Sequence, residues 1–305
     1  MRAQLTGLSL AILLAGGIAG APRARGGDPA SREPARSPGQ NATVLPQPDL
    51  SSVYCSGFVT DDKVPADTYV ISGEESNVKM TFHQGDYVFI NKGASQGARE
   101  GDQFSVIRAS KDPLQVPWFK WQQKLSRAMG THYDDIGRVR VTTVQPNVSI
   151  AQVAFSCGAM QRGDILRPYQ DRPAPPYKDP SKFDVFAPVS GKPVAMVVTM
   201  RDFYQEAGAG SILYINLGTG QGVKAGDYFR VFRYQGSRHE TSPQTAGYED
   251  RLFGFGSTPV RYSWNNLPRQ VLGEGIVLNV SRNSSTVLVT YSRIEIYTGD
   301  YVELE

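Results

Sequence analysis

The chain has 305 residues, 40% of them hydrophobic and 20% charged, with a formal net charge of +3. That is enough apolar material to pack a core and too little for a polytopic membrane protein, and the length suits roughly two domains of about 100 to 200 residues each. Five arginines stand against Asp28, Glu33 and Asp49 within residues 1–50, so the rest is near neutral and offers no electrostatic footing for nucleic acid.

Residues 1–21 read as a secretory signal peptide: Arg2, an apolar run from Leu8 to Ile18, then Ala19, Gly20 and Ala21. The run is shorter than the roughly 20 residues a spanning helix needs, so the mature chain is expected to be exported to the periplasm or the outer membrane without being integral to a membrane. Residues 22–50 are rich in Pro, Arg and Gly, with too little apolar surface to offset the entropy of ordering, and read as a disordered spacer. Cys55 and Cys157 are the two cysteines. Neither has a C-x-x-C neighbour or a nearby His, and an oxidising compartment favours their pairing as a structural disulfide.

The remainder divides at a proline cluster, residues 170–181, into β domains at 51–169 and 182–305. Val88–Arg108 aligns without gaps onto Leu213–Arg233, a shift of 125, with ten of 21 positions identical. Ile136–Leu166 aligns onto Leu272–Val302, a shift of 136, with nine of 31 identical. The length difference falls in one insert per copy, Ala109–Asp135 and Tyr234–Val271, which marks the blocks as scaffold and the inserts as variable. Period-two alternation in both blocks predicts strands. Gly-Asp pairs at 85–86, Gly101-Asp102, Gly163-Asp164, Gly226-Asp227 and Gly299-Asp300 each precede a short apolar run and predict turns. The expected fold is mainly β: two tandem small antiparallel β barrels related by internal duplication, with one short amphipathic helix over Pro117–Met129, packed on or across the first barrel.

The string G-x-x-x-G-(V/A)-(K/R)-x-G-D-x-F-x-V-x-R, with its closing G-D, resembles the C-terminal domain of flagellar assembly protein T. The resemblance rests on Gly93, Gly97, Gly101-Asp102 and Gly163-Asp164 and their counterparts Gly218, Gly222, Gly226-Asp227 and Gly299-Asp300. It implies a small β barrel in an exported component of an envelope-spanning ring. The whole chain is also similar to uncharacterised exported bacterial proteins, some labelled as lysin-motif cell-wall binders.

Catalytic signatures are sparse. His83, His132 and His239 are scattered, and His132-Tyr133-Asp134-Asp135 lacks the ligand spacing of a metal site. Asp102 and Asp227 invite comparison with a glycosidase pair, but identical turns do not supply the unlike environments an acid and a base require. No nucleophile elbow, phosphate loop or zinc-protease motif is present. No cofactor or metal is therefore expected, and a carbohydrate-active enzyme is the weakest reading. The inserts hold the candidate contacts: Trp118, Trp121 and Tyr133 in the first, and Tyr248, Arg251, Phe253, Arg261, Tyr262 and Trp264 in the second. Aromatic planes beside Arg suit protein hot spots or sugar stacking, although Trp118 and Trp121 on a helix face equally suit a core. The expected function is a non-catalytic structural or interaction module of the envelope, binding an envelope protein, with peptidoglycan or another polysaccharide as the alternative ligand.

Overall fold

A computed structural model of the protein describes residues 46–112, 115–178, 183–234 and 267–305. The signal-peptide region, nearly all of the spacer and most of the second insert lie outside them. Helix α1 (Leu50–Tyr54) is capped by Asp49, whose carboxylate accepts the Ser52 N–H, so a residue that discourages helix interiors starts this one. It leads into β1 (Phe58–Thr60), β2 (Val70–Gly73), β3 (Tyr87–Ile90) and β4 (Gln103–Ser110). Helix α2 (Gln122–Met129) lies within the first insert, and β5 (Thr131–Val144), β6 (Ser149–Ser156) and β7 (Ile165–Pro168) follow. These strands form a seven-stranded antiparallel sheet in the order β2-β3-β6-β5-β4-β7, with β1 beside the start of β5. Its two ends meet through Val70 N–H to Asp164 O at 2.9 Å and Leu166 N–H to Thr68 O at 2.8 Å.

The second half contributes β8 (Val194–Met200), β9 (Glu206–Ala207), β10 (Ile212–Ile215), β11 (Tyr228–Arg233), β12 (Gln270–Val280), β13 (Ser285–Ser292), β14 (Ile296–Tyr297) and β15 (Tyr301–Leu304). Six of these close into a barrel, β10-β13-β12-β11-β15-β8, while β9 and β14 pair as a short ribbon. The protein is thus mainly β and holds one closed six-stranded barrel. Each half has its own apolar interior: Val70, Val88, Val106, Val139 and Val153 in the first, Val197, Leu213, Val231, Val277 and Val289 in the second. Alternation explains these sets, since every second residue of a strand points inward.

Corresponding irregularities recur in the two sheets. Strand pairing slips between Val106 and Ile107 on β4 and between Val231 and Phe232 on β11. It slips again at Arg138/Val139 and Val141/Thr143 on β5, and at Glu274/Gly275 and Val277/Asn279 on β12. These bulges fall at the shifts of 125 and 136 that align the sequences. A bulge bends a strand and raises its twist. At Gly137 and Gly273 the bend brings the facing strand so near that a Cβ would fall on the carbonyl oxygen of Phe155 or Tyr291.

The helix in the first insert departs from expectation in length and in place. Residues 117–121 form turns, with Phe119 N–H on Val116 O and Gln122 N–H on Phe119 O, and the helix proper starts at Gln122. It packs on β8 of the second half rather than on its own sheet. Its buried face explains why: Gln122 Nε2 donates to Val198 O at 3.2 Å, and Met129 joins Val198, Ile212, Tyr214, Ile276 and Leu288 in one apolar cluster. The described part of the proline-rich segment is held at Arg172 and Lys178. Arg172 forks onto Asp135 at 2.8 and 3.0 Å, Lys178 N–H donates to the Tyr228 hydroxyl at 2.7 Å, and Lys178 Nζ meets Glu274 at 2.8 Å. The two halves therefore belong to one compact unit. Among the described residues no helix is long and apolar enough to cross a membrane.

Candidate functional site

The five Gly-Asp pairs of the described residues form one repeated device. In each, the Asp N–H reaches the carbonyl three residues back, the preceding Gly has φ between +88° and +103°, and the Asp carboxylate accepts the N–H of the turn's first residue. Those last bonds run from His83 to Asp86 at 2.8 Å, Arg99 to Asp102 at 2.9 Å, Gln161 to Asp164 at 2.7 Å, Lys224 to Asp227 at 2.8 Å and Tyr297 to Asp300 at 2.7 Å. The turn's Gly N–H and Asp C=O then clasp one valine of a facing strand, Val153, Val141, Val70, Val277 and Val197 in turn. Such a turn needs a residue free to adopt positive φ and an acceptor one position on.

A sixth turn escaped the sequence reading. Gly210 has φ +86°, Ser211 Oγ accepts Gly208 N–H at 3.2 Å, and the pair clasps Val289. Carried three residues upstream of the aligned block, the shift of 125 brings Gly85-Asp86 onto Gly210-Ser211; a search for Gly-Asp alone could not see the serine.

Two of the aspartates do more. Arg108 binds Asp164 through Nε at 2.7 Å and Nη2 at 2.8 Å and adds Ala159 O. Arg233 binds Asp300 through the same nitrogens at 2.6 Å each and adds Glu295 O. Both pairs are bidentate, the geometry in which Arg and carboxylate fit best. The arginines appeared in sequence only as the last alternating residues of their strands; their partners lie 56 and 67 residues away, beyond any local pattern. Asp102 and Asp227, the conceivable catalytic carboxylates, each accept a backbone N–H of their own separate turn.

The first-insert aromatics part company. Trp118 is half-buried, donates its indole N–H to Thr298 O at 2.9 Å and meets the Tyr297 ring edge-on. Tyr133 lies in the interior, stacked on Phe58 at 5.2 Å between ring centres. Trp121, at the N-terminal end of α2, is 64% exposed, with Lys124 Nζ 5.7 Å from its ring centre. Of the three, it is the one that presents its ring to solvent. Tyr248, Arg251, Phe253, Arg261, Tyr262 and Trp264 lie outside the described residues.

The seam between the halves is threaded by residues 56–61. The Tyr214 hydroxyl donates to Ser56 O at 2.7 Å, Ser284 Oγ to Val59 O at 2.6 Å, Thr286 Oγ1 to Gly57 O at 3.2 Å and Asn283 Nδ2 to Asp61 Oδ2 at 2.8 Å. Beside this thread His132 is 7% exposed, edge-on to Tyr214 and Phe203, and neither ring nitrogen has a hydrogen-bond partner among the described residues. Asp134 Oδ1 is 3.4 Å from Nε2, in a geometry that makes no hydrogen bond. Burial holds the His132 pKa below its usual 6.5, against the opposite pull of Asp134, Asp112 and Asp202. Asp202 and Phe203, which close over the ring, both have positive φ, at 58° and 57°, a conformation non-glycine residues rarely hold without support from their surroundings. Among the described residues no three His, Cys, Asp or Glu side chains are grouped to hold a metal ion.

Cys55 and Cys157 form the expected disulfide, which ties the end of α1 to the end of β6 across 102 residues. Such a bond is compatible with an oxidising, exported location. No protein-family model matches this sequence, and no curated protein is detectably similar to it.

Proposed function

We propose that this protein is a non-catalytic, exported module of the bacterial envelope, working in the periplasm or at the outer membrane, whose two halves are duplicated β barrels that hold contact surfaces for other components of an envelope-spanning assembly. The observation that carries this reading is the use made of the framework carboxylates. Among the described residues the five Gly-Asp aspartates are all engaged by turn N–H groups, and two of them also by arginine. A carboxylate so engaged serves geometry rather than proton transfer. Duplication is supported by bulges, turns and Arg-Asp forks that recur at the two alignment shifts; the bonds joining β2 to β7 support barrel closure in the first half. Affinity capture from envelope extracts with the mature chain as bait tests the reading: recovery of a specific envelope protein supports it, and empty captures together with a monomeric, non-associating bait sink it.

The polysaccharide reading draws on Trp121, whose exposed ring beside Lys124 suits stacking on a sugar face. Co-sedimentation with purified cell wall that weakens in Trp121→Ala by about 1 to 3 kcal/mol supports it; equal sedimentation of the two removes that ring from any glycan site.

A further inference from the structure

We propose that the outer face of β2 and β3 is a docking site for a second copy of this chain, joined head to tail. Ile71 and Tyr87, each 39% exposed, stand on this face with Phe89 half-buried beside them. The strand ladders say what this face corresponds to. Tyr87 pairs with Gln152 and Phe89 with Ile150, just as Ile212 pairs with Leu288 and Tyr214 with Thr286. Val70 pairs with Ile90 as Val197 pairs with Ile215. Ile71, Tyr87 and Phe89 thus occupy the places that Val198, Ile212 and Tyr214 hold in the second half.

In the second half that face is buried because the first half lies on it, through Val59 of β1 and Leu125 and Met129 of α2. In the first half the corresponding face keeps Ile71 and Tyr87 exposed. The second half also carries a counterpart of the element that does the covering. Residues 183–189, in coil and turn, lie beside the start of β12, held by Val271 N–H on Val185 O at 2.7 Å and by the Arg269 guanidinium on Ala187 O, near the place β1 takes as a strand beside β5. They present Phe186 and Val189 to solvent, 61% and 65% exposed. The step that seats the second half on the first, taken once more, seats Phe186 of one copy on the Tyr87 face of the next. The interface joins unlike surfaces, so it propagates from copy to copy and ends only where the rotation closes a ring.

This inference rests on reading the halves as copies of one unit, and its test separates the two ideas. Sedimentation velocity on the mature chain over rising concentration is expected to show species larger than a dimer. Tyr87→Glu and Phe186→Glu alter exposed positions, and circular dichroism checks that each variant is folded. Each alone is expected to stay monomeric, while an equimolar mixture forms dimers and nothing larger, because one intact pair of surfaces remains. A wild-type chain that stays monomeric throughout, or association unchanged by either variant, overturns the proposal. If that monomer still captures an envelope partner, self-association falls and the interaction role stands.

Discussion

Arg233 and Asp300 show how burial changes the meaning of a repeated pair. Both side chains are almost wholly enclosed, whereas Arg108, the partner of Asp164, is about one-third exposed. Removing one member of an enclosed ion pair breaks its charge-charge contact where water cannot replace it, at a cost of about 3 to 5 kcal/mol. Asp300→Asn is therefore expected to lower the urea midpoint more than Asp164→Asn, where water can still reach the freed guanidinium. His132 supplies a second test at this scale. Its pKa in the folded chain lies below the unfolded value, so below about pH 6.5 the unfolded chain takes up a proton that the folded one does not. Stability is expected to hold above about pH 6.5 and to decline as the pH falls further, with a shallower decline in His132→Gln. Glu274, whose pKa burial raises, acts in the opposite sense: its stabilising contribution is present below its unfolded value and lost as the pH rises through its folded one. The His132 variant isolates the imidazole's share. Denaturant melts across a pH series measure both.

Among the elements, turns, strands and the existence of the helix were legible, and the helix's packing partner was not. A Gly-Asp turn is closed by bonds within four residues, so its chemistry is written in adjacent letters, and strand faces follow from alternation. Helix α2 obeys its own periodicity, yet its partner is β8, about 70 residues onward, and periodicity says only that an apolar face will be covered, not by what. Strand β10 is buried on both sides and reads as a continuous apolar run for the same reason: it serves the barrel interior with one face and the seam with the other. The disulfide, read from cysteine count and context, closes a loop of 102 residues. Replacing both cysteines by serine is expected to cost about 4 to 5 kcal/mol if unfolded-chain entropy dominates. Denaturation with and without reductant, compared with that variant, provides the measure.

At the scale of the whole molecule, the seam decides behaviour. Val198, Ile212, Tyr214 and Leu288 are covered by residues of the first half, so the second half made alone would expose a contiguous apolar patch of the kind that drives aggregation. Residues 183–305 expressed alone are expected to be poorly soluble, and co-expression with residues 46–178 to restore soluble yield; light scattering on the two preparations checks it. The proline cluster was read as the division between halves from a change of composition. Arg172 and Lys178 then fasten it to both sides, which composition cannot reveal.

By itself the sequence determined the mainly β character, the spacing of the turns and the cysteine pair, because these depend on backbone bonds a few residues apart, on side-chain alternation or on a single possible partner. Tertiary structure alone decided that the first insert covers the second half, that His132 is buried with no hydrogen-bond partner among the described residues, and that of two corresponding sheet faces one is covered and the other keeps Ile71 and Tyr87 exposed. Those outcomes depend on which apolar surfaces meet, and surface burial carries no directional code along the chain.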